Sequence, residues 1–582
     1  MFFKALKSER NPYQYVVLTE HYRGIEVAFL RTQNIKRNDR GGIESGSASI
    51  VEVKYTGSSK GGSKGHSKQS IRERLGRPLY LSDDGKSGIF LSPVRGIVHY
   101  DVVTDQFSNI ERDDSRIADA GLFHDPAVHV EFGDGYIFMK FMESTGLGAV
   151  LRGVFQKDAD YQRCLTHIYH TVARNGERVR CDVMLERSFM QHLVPEVPLS
   201  CLKCDTRYFT IMGGDDVKMG FFKAYVAFMR KSFPGFGKAC YVDSTPLPND
   251  ITDNPFDAFA THGTGSSENQ MRMSMVLDSV TGMPVWFDFH PGNVLDLNTL
   301  KDVTDDLQNS LGITITEYVL DAGYASRELV TAFPALPEEG HDEDGTGIDD
   351  VRDIVVRMPA RKGYPFKTLY NQCKPLMANG KYDFVRGRHA YFGVRRRVTV
   401  FDTEVYAYVY VDYDNALRGY RRFISERPEE FESMRDRDKT WYRYKDGFFI
   451  LMSSIPETPA EMLERYFGRT DIECVFKTSK EYLDILPLSK WTVETVRGKV
   501  LNDVISLIVY LGVRRAVSGS KYSVPEVFSR CRSLQCRMGS DGCLAVEAPN
   551  KHVKNIFAQF NLTVPVKVSI DEFPSCNGKC SA

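Results

Sequence analysis

The sequence predicts an α/β protein with a mixed-sheet core that a β-rich insertion interrupts, preceded by a β-rich region and then a helical region. In residues 236–360 apolar strands alternate with a helix, and in 131–235 apolar residues recur every three or four positions. Residues 381–412 are rich in β-branched and aromatic side chains. Because a chain of 582 residues is too long for one hydrophobic core, we expect several domains.

Residues 1–130 form the predicted basic N-terminal region, where short alternating runs such as YQYVVL and SIVEVKY predict strands. Residues 1–80 hold 15 lysines and arginines against 7 acidic residues, although the formal net charge of the chain is −1. A local excess of positive charge is what contact with nucleic-acid phosphates requires, so we expect DNA end binding here. Glycine and serine in 57–70 predict a flexible loop, and a solvated linker is favoured over lysine contact with DNA.

Residues 131–235 are predicted to form a helical subdomain. The segments DADYQRCLTHIYHTVARN and VKMGFFKAYVAFMRKSF repeat apolar residues at the spacing of a helix face.

The first part of the core, residues 236–360, opens with KACYVDST, a buried strand that we expect to end in Asp243. A hairpin follows with Thr281 and Gly282 in its turn. LDLNTLKDVTDDLQNSL predicts a helix, and TITEYVLDAGYAS predicts a strand that ends at Asp321 before a glycine turn. The predicted order is strand, strand, strand, helix, strand.

The rest of the chain divides at changes in pattern. The acidic stretch 337–350 predicts a solvated surface loop, and VRDIVVRMP after it predicts a further strand. We expect a β-rich insertion over 361–456, the second part of the core over 457–525, and a C-terminal tail over 526–582.

A helix is predicted to begin at Thr458-Pro459-Ala460-Glu461, where threonine and glutamate match a capping box and proline suits the first helical position. Four polar residues follow on that helix. At about 100° per residue their side chains fall within an arc of about 60°, so one helix face carries all four. They are Tyr466, Arg469, Glu473 and Lys480. A solvated polar face is the ordinary alternative for such a set.

The spacing Tyr-x2-Arg-x3-Glu-x6-Lys resembles the YREK signature of bacterial and archaeal insertion-sequence transposases of the DDE class. Further stretches resemble that family in the same order: YVDST, HPGNVLD, VLDAGYAS, DIVVRMP and DGFFILMSS. The resemblance covers about residues 235–515. It implies an RNase H-like catalytic core in which Asp243, Asp321 and Glu473 are catalytic.

Those three carboxylates suit metal-assisted phosphoryl transfer. Two divalent ions about 3.5 to 4 Å apart can activate the attacking oxygen and stabilise the leaving one. Hard ions such as Mg²⁺ prefer carboxylate oxygens. We therefore expect Asp243, Asp321 and Glu473 to bind two Mg²⁺ ions, with Mn²⁺ able to replace them. Without metal, repulsion among the carboxylates should strain the site or leave it partly protonated.

Each candidate has a structural alternative. Asp321 could be an ordinary turn residue before Gly323, and Glu473 could be a solvated helix carboxylate. Three nearby aspartates compete with Asp243, namely Asp250, Asp253 and Asp257. Asp243 is preferred because it closes the apolar strand.

The other members of the signature are expected to bind DNA. Arg469 and Lys480 are suited to hold backbone phosphates near the metals, and Tyr466 could donate a hydrogen bond to a phosphate or stack on a base. The resemblance implies this role for the set.

Two further groups are candidates for contact with DNA or metal. His290, Gly292 and Asn293 lie in the family-like PGN stretch, where a turn stabilised by asparagine and glycine is favoured. The residues 395–397 are three arginines on a predicted strand, which alternates faces, so each side receives at least one. Contact with DNA and a charged edge strand remain equal alternatives.

The resemblance implies a DDE transposase that cleaves double-stranded DNA at the terminal inverted repeats of its element and joins the 3′ hydroxyl to target DNA. It further implies a homodimer that bridges two DNA ends, each site acting on the end held by its partner, and, in relatives with such a β insertion, a hairpin intermediate.

Two rival functions remain. One is a decayed or domesticated relative that binds DNA without cutting it, which the intact carboxylates and signature disfavour. The other is a glycoside hydrolase, which needs only two carboxylates and an aromatic sugar cleft. Three tryptophans in the chain fit that alternative poorly.

Composition also bears on location. The longest apolar run near the C-terminal end, residues 504–513, is about half the ~20 residues that a membrane-spanning helix needs, and the N-terminal stretch lacks a signal peptide's apolar core. We expect a cytoplasmic, nucleoid-associated protein of a prokaryotic cell. Its 12 cysteines lack regular spacing beyond one CxxC at Cys201 and Cys204, so reduced thiols are favoured over structural zinc.

Overall fold

The computed structural model describes most of the chain. The described residues are 26–37, 41–56, 66–110, 114–117, 129–174, 179–249, 251, 254–259, 269–293, 296–336, 352–483, 485–486, 488–538 and 543–573. They form two compact units, Met1–His129 and Val130–Ala582. The predicted acidic loop lies outside the described residues, as does 57–65 of the predicted glycine- and serine-rich loop.

The first unit is an antiparallel sheet whose six strands follow chain order. They are β1 (Glu26–Arg37), β2 (Ile43–Thr56), β3 (His66–Leu81), β4 (Ser87–Ser92), β5 (Gly96–Asp101) and β6 (Gln106–Asn109). Leu30, Ile50, Leu75 and Phe90 form its small core. The expectation of a loop through residue 70 is wrong for 66–70, which begin β3, because the long strand β2 offers hydrogen-bonding partners along that segment.

The second unit begins within β7 (His129–Glu131), which a helical stretch follows. Its helices are α1 (Gly133–Ser144), α2 (Leu147–Arg152), α3 (Asp158–Arg174), α4 (Cys181–Arg187), α5 (Leu199–Leu202), α6 (Thr206–Met212) and α7 (Asp215–Ser232). The periodicity of this stretch thus predicts its secondary structure correctly. The helices share one apolar core with the sheet that follows.

That sheet has ten strands and begins with the predicted alternation of strands and helix. The elements in chain order are β8 (Ala239–Pro248), β9 (Ala258–Phe259), β10 (Asn269–Asp278), β11 (Pro284–Pro291), α8 (Asp296–Leu311), β12 (Glu317–Leu320), α9 (Arg327–Thr331) and β13 (Asp353–Arg357). The hairpin of β10 and β11 is confirmed, and Gly282 in its turn has φ +62°. Strands β8, β12 and β13 are parallel neighbours at the centre of the sheet.

The segment predicted as a β-rich insertion is mixed. It holds α10 (Phe366–Cys373), β14 (Asp383–Arg386), β15 (His389–Val400), β16 (Thr403–Asp412), α11 (Tyr413–Glu426), α12 (Pro428–Ser433), α13 (Asp436–Tyr444) and β17 (Phe448–Ser453). Its strands extend the same sheet, whose order is β11-β10-β8-β12-β13-β17-β16-β15-β14, with β9 paired to β10. They do so because β17 pairs with β13 on one side and β16 on the other.

After the sheet come α14 (Pro459–Phe467), α15 (Thr470–Glu481), α16 (Val493–Ala516) and α17 (Val524–Arg532). The predicted C-terminal tail is folded as far as the structure describes it, with β18 (Gln535–Met538), β19 (Leu544–Val546), α18 (Lys551–Gln559) and β20 (Lys567–Val568). These strands and β7 form a four-stranded sheet. In the described part of the chain no helix combines the length and apolar character needed to cross a bilayer. The ten cysteines of the described residues are free thiols.

Candidate active site

Asp243 lies in the middle of β8, so the expectation that it ends the strand is wrong. The strand continues to Pro248 because β10 pairs with it along its whole length, from Cys240 to Pro248. On its other side β12 pairs with β8 only as far as Val242. Asp243 is therefore the first residue of β8 beyond the end of its pairing with β12. Its side chain is 18% exposed.

Asp321 follows β12 directly, as predicted. Leu320 at the end of β12 is in register with Val242, so Asp321 and Asp243 are the next residues on two neighbouring parallel strands. Neighbouring strands lie about 4.8 Å apart, which brings the two carboxylates to the same edge of the sheet. The Asp321 side chain is 41% exposed.

The helix expected to carry the signature is two helices. The capping box is confirmed, since the Thr458 hydroxyl accepts from the Glu461 backbone N–H while the Glu461 carboxylate accepts from that of Thr458. The helix is interrupted at Gly468 and Arg469, where backbone bonds span three residues instead of four, as from Arg469 N–H to Tyr466 C=O at 3.1 Å. Thus α14 carries Tyr466, while Arg469 precedes α15.

Arg469 joins the three predicted catalytic carboxylates. One guanidinium nitrogen donates to Asp243 at 2.9 Å, and another donates to Glu473 at 2.8 Å and lies 3.8 Å from Asp321. Its side chain is 12% exposed, whereas that of Glu473 is 55% exposed. Burial alone would lower the pKa of Arg469, but Tyr466 and the carboxylates outweigh burial and raise the pKa.

Tyr466 also belongs to the site. Its hydroxyl donates a 3.4 Å hydrogen bond to Asp321, and the guanidinium of Arg469 lies 5.6 Å from its ring centroid. Burial raises the pKa of Tyr466 to about 12, so the hydroxyl stays protonated at neutral pH.

Lys480 lies at the other end of α15 and does not join the carboxylate group. Its ammonium donates to the Pro246 carbonyl at 2.9 Å, so it ties α15 to β8 beyond Asp243. Burial lowers the pKa of Lys480.

The PGN stretch owes its glycine to packing. A Cβ at Gly292 would lie 2.2 Å from the Gln270 carbonyl oxygen and 2.7 Å from that of Ala258. His290 is buried, and burial lowers its pKa. These contacts support a structural role for Gly292, whereas Asn293 is exposed.

The three arginines of β15 have different surroundings. Arg395 donates to the carbonyls of Pro456 and Glu457, at 2.6 and 3.1 Å. Arg397 lies over the Tyr406 ring, while the exposed Arg396 points to the opposite face. Arg395 thus holds the segment that leads into α14.

Of the three aspartates that compete with Asp243, Asp250 and Asp253 lie outside the described residues. Asp257 is described, and burial raises its pKa.

The donor chemistry at Arg469 fits a divalent cation. Two aspartates and a glutamate supply only oxygen ligands, which hard cations prefer, and a positively charged guanidinium already lies among them. Each of the three carboxylates lies within 3.8 Å of the Arg469 guanidinium. Within the described residues His389, Asp412 and Asp414 form a second group, whose potential ligand atoms lie within 4.8 Å of one another.

The two carboxylates of that second group already accept hydrogen bonds from nearby residues. Asp412 accepts from the Asn415 backbone N–H and from His389, and Asp414 accepts from the Ala390 backbone N–H at 3.0 Å. It caps α11, apart from the predicted residues.

The sequence reasoning missed two residues near the carboxylates. Arg357 ends β13, and since Val356 is in register with Leu320, Arg357 stands level with Asp321. It is exposed, with its guanidinium 5.6 Å from the Phe449 ring centroid.

Tyr241 lies two residues before Asp243 and contacts the turn between α14 and α15 at Gly468. Alternation along β8 could have placed Tyr241 on the Asp243 face.

Comparisons with known proteins agree with part of this picture. The family model described as "Transposase DDE domain" matches residues 234–508, a span that includes Asp243, Asp321 and Glu473. A solved structure, "Cryo-EM structure of piggyBac transposase synaptic complex with hairpin DNA (SNHP)", matches with a TM-score of 0.35 and 11% identity, covering 65% of this chain and 70% of that chain. No curated protein matches. Residues 234–508 are therefore similar to the DDE domain of transposases, and this similarity supports a transposase function.

Proposed function

We propose that the protein is a DDE transposase that cleaves double-stranded DNA at the ends of an insertion sequence and transfers the freed 3′ hydroxyl to target DNA. The observation that carries the proposal is the meeting of Asp243, Asp321 and Glu473 around Arg469, although they are 78 and 152 residues apart along the chain. The family match over the same residues supports it independently.

The architecture supports an RNase H-like core. Five neighbouring strands of the sheet lie in the order β11-β10-β8-β12-β13. If they are numbered by their order in the chain, leaving out the short β9, the sheet order is 3-2-1-4-5. The first and fourth are parallel and carry Asp243 and Asp321 at the edge where the fourth ends. Ligands in open sheets of this kind bind outside the carboxyl ends of the parallel strands.

We assign the metal to Asp243, Asp321 and Glu473. When bound, two Mg²⁺ ions, or Mn²⁺ in their place, would supply Lewis-acid stabilisation for phosphoryl transfer. In this proposal the protein's part is to hold three carboxylate oxygens at one edge of the sheet. Arg469 offsets part of their negative charge, since each lies within 3.8 Å of its guanidinium.

The cations around the carboxylates are suited to DNA phosphates. Arg469 offers a planar donor set that can hold a phosphate by two hydrogen bonds. The exposed Arg357 adds charge beside Asp321, and Lys480 adds it at the far end of α15. Tyr466 keeps a neutral hydroxyl that can donate to a phosphate. We propose that these four residues orient the scissile strand.

The assembly and the cellular setting are proposed from the same resemblance. Two copies would bridge the terminal inverted repeats of one element, each cutting the end bound by its partner. The protein would work in the cytoplasm of a prokaryotic cell, on the nucleoid.

Cleavage of an end-labelled duplex tests the proposal, with the duplex carrying the inverted repeats that flank the coding region. Wild type, Glu473→Gln and the control Glu481→Gln are compared in Mg²⁺, Mn²⁺ and EDTA. Glu481 lies on the same helix and is exposed, and it pairs with Lys477 at 3.8 Å.

Metal-dependent cleavage at the repeat boundary by wild type and Glu481→Gln, lost in Glu473→Gln while gel-shift binding remains, is the expected result. Binding without cleavage by the wild type would instead favour the decayed relative. Cleavage that persists in Glu473→Gln would show that the active site is elsewhere.

A further inference from the structure

The turn between α14 and α15 lies directly on β8. Gly468 forms this turn, and a Cβ built on it would lie 2.0 Å from the Tyr241 hydroxyl oxygen and 2.9 Å from the adjoining ring carbon. Both distances are shorter than real Cβ contacts allow. Gly468 has φ −55° and ψ −26°, which any residue adopts. Glycine is therefore needed here for space and not for backbone conformation.

Tyr241 cannot easily move away from that contact. Its strand is paired on both sides, with Leu277 of β10 and Val319 of β12. The side chain is 6% exposed, and burial raises its pKa to about 12, so the hydroxyl is neutral at physiological pH. The position of its ring is thus set by the sheet.

The turn is fixed from a second side by Arg465, which lies one residue before Tyr466. Arg465 donates to Glu317 at the start of β12 at 2.6 Å and forms a bidentate pair with Glu457. Glu317 and Tyr241 lie on adjacent strands. Two strands of the sheet therefore hold one turn, one by close packing and one by charge.

The residues that follow the turn are those of the proposed active site. Arg469 comes directly after Gly468 and reaches Asp243 at 2.9 Å, and Glu473 lies one helical turn further on. Asp243 itself is two residues beyond Tyr241 on the same face of β8. A shift of the turn away from Tyr241 would therefore move Glu473 relative to Asp243.

We propose that Tyr241 and Gly468 are positioning residues whose direct contact sets the height of α15 above β8 and thereby the separation of Glu473 from Asp243. This inference rests on the proposed function of those carboxylates. Active-site groups must be held within about 0.5 Å of the productive geometry, and a misplacement of about 1 Å can cost about 10²-fold in rate. Tyr241 lies so close to Gly468 that an added methyl group would have to displace the turn, and Glu473 with it, by a distance of that order.

The test is a double-mutant cycle with Gly468→Ala, Tyr241→Phe and the combined variant. Gly519→Ala is the control, because nothing lies within 4 Å of a Cβ at that position. In the combined variant the missing hydroxyl removes the 2.0 Å overlap and leaves only the 2.9 Å approach to the ring. Each protein is measured for Mn²⁺ affinity without DNA, for cleavage kcat and KM, and for thermal stability.

For Gly468→Ala we expect about 10²-fold lower kcat with little change in KM, and at least about tenfold weaker Mn²⁺ binding. The combined variant should recover about tenfold or more of both, although Tyr241→Phe by itself adds no contact. Thermal stability of the same proteins shows whether this recovery exceeds what restored folding alone would give. If Gly468→Ala does not fold, the combined variant should still fold and supply the comparison with wild type.

Full activity and Mn²⁺ affinity in a folded Gly468→Ala would overturn the inference, as would a folded combined variant no better than Glu473→Gln. Failure of the proposed function gives a different result. In that case the wild type itself would neither cleave nor bind Mn²⁺ through Glu473.

Discussion

Arg469 donates a 2.9 Å hydrogen bond to Asp243, which lies 226 residues earlier in the chain. The same guanidinium donates to Glu473, four residues further on. One side chain thus links the strand that carries the first carboxylate to the helix that carries the last. Because like charges at short range repel, a cation in this place stabilises the cluster when no metal is bound.

Replacing Arg469 by alanine should therefore destabilise the metal-free protein by about 1 to 3 kcal/mol, since partly buried carboxylates lose a charged donor. Urea unfolding in EDTA measures this loss. Added Mn²⁺ should restore more stability to Arg469→Ala than to wild type, because the ion supplies the missing positive charge. As a control, Arg418→Ala removes an exposed cation on α11 and should change stability by less than about 0.5 kcal/mol. Equal stability of Arg469→Ala and wild type in EDTA would contradict the expectation.

The affinity for DNA should depend on the charge of Lys480. Burial lowers the pKa of this lysine, so as pH rises its positive charge disappears earlier than that of an ordinary lysine. Wild-type affinity for a repeat duplex should thus fall over a pH range in which Lys480→Arg, which stays charged, holds its affinity. Fluorescence anisotropy across alkaline pH at fixed salt compares the two proteins. Parallel pH curves would show that Lys480 does not contact the duplex.

The segment after α16 should contribute to stability through Arg532. Its guanidinium donates to the fully buried Asp134 of α1 at 3.3 Å and to the Ala173 carbonyl at 2.8 Å. Arg532→Ala leaves these buried acceptors with fewer donors and should cost about 1 to 3 kcal/mol in chemical denaturation. Arg530→Ala serves as the neighbouring control, because Arg530 is 43% exposed and its contacts are a 3.5 Å pair with Glu526 and a 5.9 Å approach to the Tyr522 ring centroid. A similar small effect of both substitutions would refute a stabilising role for Arg532.

The turn after β11 should tolerate change at its asparagine but not at its glycine. A methyl group at Gly292 would meet two backbone oxygens at 2.2 and 2.7 Å, and backbone cannot move aside cheaply. Gly292→Ala should lower stability by about 1 to 3 kcal/mol in thermal unfolding. Asn293 is exposed, and Asn293→Ala should keep wild-type stability and duplex affinity. A loss of affinity in Asn293→Ala would indicate that this turn contacts DNA after all.

Several elements follow from local sequence because their causes are local. Thr458 and Glu461 are three residues apart and cap α14 through bonds within one turn. Gly282 supplies the left-handed backbone that the hairpin turn between β10 and β11 requires. The helical periodicity of α3 and α7 and the apolar run of β12 are also patterns among residues a few positions apart in the sequence. For these elements the residues themselves carry the signal.

The candidate carboxylates were also predictable as residue types, since a motif spacing and a family resemblance identify Asp243, Asp321 and Glu473. Their arrangement was not predictable. Sequence periodicity treats residues 458–480 as one helix, but Tyr241 packs against Gly468 and the helix is interrupted there. The same limit applies to β8, which extends beyond Asp243 because β10 pairs with it.

The sequence by itself determined the locally encoded elements, such as the helices α3 and α7, the capped start of α14 and the hairpin of β10 and β11, and which carboxylates and cations the chain offers. Tertiary structure alone decided that the strands around residues 383–453 join the central sheet, that Asp321 stands level with Asp243, and that Lys480 bonds to Pro246. The physical reason is the range of the interactions. Caps and turns are bonds between residues a few positions apart, whereas strand register and helix seating depend on hydrogen bonds and packing between segments that are distant in sequence and meet only when the core forms.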